Sequence, residues 1–138
     1  MPTLSVWAVR LALFHLAAGT VVGSALLAAK AVALPPSLWA LRAWHVEALL
    51  VGFAVQLAVG VAYWILPRVR PSEKPRPERM RGPLALASVV LLNAGVLLVG
   101  GGLAVAGRVC EAAGAAAFAV HVWPRVRAAT APRSASKR

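Results

Sequence analysis

The stretch WHVEALLVGFAVQLAVGVAYWILPR, Trp44 to Arg68, decides the fold. Between Glu47 and Arg68 it carries no charged side chain. An α-helix needs about 20 apolar residues to cross ~30 Å of hydrocarbon at 1.5 Å per residue, and the run from about 44 to 66 meets that test. It closes on Leu66-Pro67-Arg68, a helix breaker followed by cations. Working outward, three more stretches qualify, at about 7–29, 84–106 and 109–123. The last is short and Ala-rich, and it follows the third through a turn expected at Gly107 and Arg108, which predicts a tight helical hairpin. The chain therefore reads as an all-α integral membrane protein, with four transmembrane helices in an antiparallel bundle forming one domain over residues 1–128.

Composition agrees. Of 138 residues 60% are hydrophobic and 14% charged, where soluble domains carry about 25% charged residues. Aspartate is absent, and four Asp plus Glu against fifteen Lys plus Arg give a net charge of +11. The placement of the cations excludes a nucleic-acid reading, because they sit in short blocks between the apolar runs. Arg68, Arg70, Lys74, Arg76, Arg79 and Arg81 lie in one loop, Arg125, Arg127, Arg133, Lys137 and Arg138 in the tail, and Arg10 at the first helix. Only Lys30, Arg42 and Arg108 lie on the other side. The positive-inside rule then puts both termini in the cytoplasm, and anionic lipid is the expected neighbour of the basic loop. Residues 68–83 read as a basic, Pro-rich cytoplasmic loop, and 129–138 as a disordered basic tail.

Local signals refine the picture. Pro35-Pro36-Ser37 ends the first helical region and offers Ser37 as an N-cap, so that the second helix begins near Leu38. Trp7, Trp39, Trp44, Trp64 and Trp123 fall near the span ends, as an interfacial aromatic belt requires. The single cysteine, Cys110, excludes an intramolecular disulfide. The apolar start runs past Arg10 to about Lys30, unlike a cleaved signal peptide. Pro-Arg-Val-Arg occurs twice, at Pro67 and Pro124, a weak echo of a duplicated helical hairpin.

Ionisable and polar groups inside a span are costly and mark candidate sites. All three histidines, His15, His45 and His121, lie in or at the rim of the apolar segments, with Glu47, Gln56, Asn93 and Tyr63. At 100° per residue, His45, Gly52, Gln56, Gly60 and Tyr63 share one narrow stripe of the second helix. Two readings of that stripe are open. The glycines leave room for a flat ligand below His45, or they let another helix approach while His45 bonds a carbonyl across the interface. Glu47 points away from His45, toward a pairing with Arg42, Lys30 or Arg108 or a protonated contact with another helix. Gly19 and Gly23 make a GxxxG pattern beside His15. Cys110, Gly114, Ala117 and His121 share a face of the fourth helix, and Asn93 is expected to hydrogen-bond across the bundle. His45 stands about 33 Å of helix above the exit at Pro67, so it cannot share one iron with His15 or His121, which are the weaker candidate ligands.

The Trp44–Arg68 segment resembles the outside-to-inside helix of heme-copper oxidase subunit I that carries heme-ligating histidines. Gly52 and Gly60, eight apart, and the Gly60-Val-Ala-Tyr63-Trp64 ending are similar to that helix. The chain looks closer still to the small four-span relatives of the subunit, in which a His-x-His and Leu-Leu-Gly stretch leads to a Tyr and a Leu-Pro-Arg exit, and Asn93-Ala-Gly95 in the third span is similar to an Asn-x-Gly found there. Glu47 stands where the family has its second histidine. A complete oxygen-reducing centre also needs six histidines, so an independent oxidase is excluded and copper is not expected.

The resemblance implies non-covalent heme b with His45 as the main axial ligand, Gly52, Gln56, Gly60 and Tyr63 along its groove, and Arg42 or Arg108 at the propionates. It also implies a bacterial or archaeal inner membrane, a respiratory-chain electron donor as partner, and a homodimer to supply a second axial ligand. The function expected is electron transfer or binding of NO or O2. The alternatives are a non-catalytic accessory or assembly subunit of a respiratory complex and, last, a small transporter using His45 and Glu47.

Overall fold

The structure is a computed structural model and describes residues 2–66 and 81–125. The described residues are helical, with no strand among them, and form four helices long and apolar enough to cross a membrane. Helix one is Thr3–Ala28. Helix two is Pro36–Ile65, 30 residues long. Helix three is Arg81–Gly100 and helix four Ala104–Val122, ending in a short 3-10 turn, Trp123–Arg125. Most of the expected loop 68–83 and the whole of the tail 129–138 lie outside the described residues; Arg81, Gly82 and Pro83 belong to helix three.

Helix two is continuous but not uniform. It starts as a 3-10 segment, Pro36–Leu41, passes into α-helix over Arg42–Glu47 and a π-helical stretch over Ala48–Val55, and returns to α-helix over Gln56–Ile65. Ser37 is not its cap. Pro36 stands at the first helical position, where its missing N–H costs nothing, and the Pro35 carbonyl accepts from Leu38 N–H at 3.0 Å. The π stretch begins just after Glu47 and changes the phase of everything below it, so an ideal-helix projection from His45 to Tyr63 does not hold.

The hairpin between helices three and four turns six residues earlier than the sequence predicts, at Gly101–Leu103 instead of Gly107–Arg108. Leu103 N–H reaches the Leu98 carbonyl at 2.9 Å, Gly102 N–H reaches Val99 at 3.1 Å, and Gly102 has φ of 84°. This is a Schellman stop with glycine at the left-handed position, which β-carbon sterics disfavour for other residues. Three consecutive glycines raise no hydropathy alarm but end the helix; Gly107 and Arg108 lie inside helix four.

Small residues set how closely the helices meet. A β-carbon at Gly107 would lie 2.8 Å from the Gly95 carbonyl oxygen and 3.0 Å from Val99 N, and one at Gly114 would lie 3.1 Å from the Ser88 carbonyl oxygen. At Gly60 it would meet Ala8 and Val9 of helix one. The buried centre comprises Ala8, Ala48, Val51, Val59, Val89, Leu92 and Val96. Phe14, Leu97 and Val120 face outward, as lipid-facing positions do. Trp7, Trp39, Trp64 and Trp123 are exposed, whereas Trp44 turns inward onto Gly100.

Gly107→Val should destabilise the protein by about 2 kcal/mol or more, because the added carbons meet backbone that cannot yield. Gly101→Ala, with only ordinary van der Waals neighbours, should leave stability near native. Thermal unfolding in detergent, followed by circular dichroism, checks the pair; equal midpoints would contradict the packing.

Candidate functional site

His15, His45 and Glu111 are each placed opposite a glycine of another helix. His45, in the short α-helical part of helix two, lays its ring over Gly23 of helix one, and its Nδ1 is 2.8 Å from the Gly19 carbonyl oxygen. Since that oxygen can only accept, Nδ1 carries a proton, and in the neutral ring the lone pair is on Nε2. The Gly19/Gly23 pair expected to permit close approach does so, with Gly19 receiving Leu49 and Gly23 receiving the imidazole.

Beside His45 lies a cavity of about 300 Å³ lined by Gly23, Leu26, Lys30, Trp39, Arg42 and Val46, among others. Two cations, one indole and aliphatic carbons thus surround one oriented imidazole. Lys30 had no role in the sequence reading beyond a pairing with Glu47; the structure gives it one beside Arg42.

The expected groove below His45 is occupied by the protein itself. Gly52 is filled by the ring of His15, and Gly60 lies against Ala8 and Val9. Gln56 is buried, donating to the Ala8 carbonyl at 3.3 Å and accepting from Asn93 Nδ2 at 2.6 Å. Asn93 also donates to Val89 O, so its Oδ1 is the acceptor facing His15 Nε2 at 3.0 Å, which makes Nε2 the protonated nitrogen of His15. Gly52, Gln56 and Gly60 therefore join helices one, two and three, and the open space lies on the flank toward Lys30 and Arg42.

Tyr63 and His121 meet at the other end of the bundle. Their rings stack with centroids 5.5 Å apart, Phe118 stacks on His121 at 6.3 Å, and Arg125 lies 5.8 Å from the Tyr63 centroid. His15, His45 and His121 thus occupy three separate environments. Among the described residues no group of three or more His, Cys, Asp or Glu could hold a metal ion together.

Glu47 is buried on the side of helix two away from His45, and its Oε1 accepts from Arg108 Nη1 at 2.6 Å. Of the three expected cations, Arg108 is its partner, reached because Arg108 lies one turn inside helix four. Glu111, absent from the sequence-based set, sits 3.8 Å from the same guanidinium. The signal for it was available: it is the other carboxyl inside an apolar span, three residues after an arginine.

No protein-family model, curated protein or solved structure matches the chain. The likeness of Trp44–Arg68 to the oxidase helix is carried by its residues alone.

Asn93→Ala should lower stability by about 1–2 kcal/mol, since it removes the bonds to His15 and Gln56 and leaves both groups buried. The measurement is the unfolding midpoint in detergent. A midpoint unmoved from native would mean that these contacts do not join the helices.

Proposed function

We propose that the chain is an antiparallel four-helix protein of a bacterial or archaeal inner membrane, with both termini cytoplasmic, that binds heme b non-covalently through His45. It works as a homodimer in electron transfer or in binding NO or O2. The observation that supports this most is the state of His45. A metal-ligating imidazole characteristically donates its second ring N–H to a carbonyl or carboxylate, which fixes the tautomer and the ring plane. The His45 to Gly19 bond provides this partner, and in the neutral ring the lone pair is then on Nε2 of a histidine that lines the cavity.

The residues around His45 suit the group. Arg42 and Lys30 match propionate carboxylates, the former with a guanidinium fork. Leu26, Val46 and Trp39 supply apolar walls, and Gly23 holds the imidazole flat against helix one. Because the glycine groove is filled, the macrocycle belongs on the flank, where Lys30 and Arg42 stand. The cavity is at the lower end of ligand sites, which run from about 300 to 1,000 Å³, so one copy encloses part of the group and a second copy supplies the rest. When bound, the heme supplies a one-electron couple, or an iron open to a diatomic ligand if one axial position stays free. His15 is engaged with Asn93 and His121 lies against Tyr63 and Phe118, so a second protein ligand would come from His45 of a second copy.

The accessory-subunit reading has one observation in its favour. Every histidine contributes to helix packing, and a bundle joined by such contacts needs no cofactor to fold.

Protein expressed with ample heme should purify in detergent with a Soret band, as a dimer by mass. His45→Ala should abolish the band, and His121→Ala should retain it. Colourless native protein, or a band lost only in His121→Ala, would overturn the assignment.

A further inference from the structure

The Glu47–Arg108–Glu111 cluster has no part in holding the heme proposed above, and its charges do not balance. Glu47 is 1% exposed and Glu111 7%, while one guanidinium serves both, at 2.6 Å and 3.8 Å. With both carboxyls ionised the cluster carries a net negative charge inside an apolar bundle, a costly state. A second, separate fact points the same way. Glu111 Oε1 is buried without a hydrogen-bond partner among the described residues, although the guanidinium nitrogen that bonds Glu47 lies 3.8 Å from the other oxygen of the same carboxyl. Two carboxylates gathered at one guanidinium contain no hydrogen to share, and one added proton both supplies a donor and brings the cluster to neutrality.

From this geometry we infer that Glu47 and Glu111 form a binding site for one exchangeable proton, clamped by Arg108. The fold is cut to fit it. A β-carbon at Gly95 would collide with the Glu111 stem, so helix three leaves that space for the carboxyl. Among the described residues, helix three between Gly82 and Gly100 carries no titratable group, and helix one has only Arg10 and His15, of which His15 bonds Asn93. On helix two His45 turns toward Gly19, Arg42 lines the cavity beside it and Tyr63 stacks on His121 of helix four, where half-buried Cys110 is Glu111's neighbour in the chain. Arg108 belongs to the cluster but is itself largely exposed, with 59% of its side chain accessible. Its withdrawal would leave the singly protonated pair with one net negative charge and no counter-ion and so tighten its hold on the proton, and its return favours proton release. The ligand is therefore a proton taken up and released where helices two and four meet at Arg108.

Infrared difference spectroscopy on the full chain in lipid tests this. The chain has no aspartate and four glutamates, the other two being Glu73 and Glu78 in the basic loop, so the carboxyl region is sparse. At neutral pH the native protein should show a protonated-carboxyl C=O band that shifts in D2O. Glu111→Gln and Glu47→Gln should each remove it, because the introduced amide supplies the missing hydrogen and the remaining carboxylate pairs with Arg108. Circular dichroism confirms that both variants keep their helices, as these isosteric changes should. Absence of the band from native protein, or its survival in both variants, overturns the inference.

Discussion

The bundle depends on a single constraint: a polar side chain between apolar helices must find its hydrogen-bond partner within the protein, because lipid offers none. Apolar surface alone cannot align helices in a solvent as apolar as they are. Alignment comes from places where a glycine leaves a gap and a particular side chain enters it. His45 enters at Gly23, His15 at Gly52, Glu111 at Gly95 and Trp44 at Gly100. Ser5, donating to the Gly60 carbonyl at 2.6 Å, and Gln56, donating to Ala8, tie the same helices further down.

That arrangement separates the chemistry by face. Helix two sends His45 to helix one and, two residues later, Glu47 to helix four. The imidazole is thereby free of the carboxylates, whose charge is answered by Arg108, and it looks toward a flank with two cations instead. An anionic, planar ligand fits such a flank better than a metal cation does. The central Gln56–Asn93–His15 network stands between helices one, two and three, and it uses every group it contains except His15 Nδ1.

Much of this was legible in the sequence. Four apolar runs gave four helices, the isolation of His45 from the other histidines followed from depth, and Glu47 was expected to point away from His45. The hairpin was misplaced because hydropathy counts Gly100–Gly102 as neutral filling, whereas backbone conformation makes them the stop. Of the two readings that the stripe below His45 leaves open, the structure has the close approach of another helix with His45 on a carbonyl, that of Gly19. A glycine marks a gap but not its occupant, and the occupant of Gly52 comes from His15, 37 positions away in the chain. The π stretch, which no periodicity in an evenly apolar run reveals, also shifts the face below Glu47.

The account turns on the protonation and aim of one imidazole, and nitrogen NMR reads both. With only three histidines, each ring can be assigned in lipid-embedded, 15N- and 13C-labelled protein. Before heme is added, His45 should be the Nδ1–H tautomer, with that proton in contact with the Gly19 carbonyl carbon and Nε2 bare. An Nε2–H tautomer at His45, or no contact with Gly19, would contradict it.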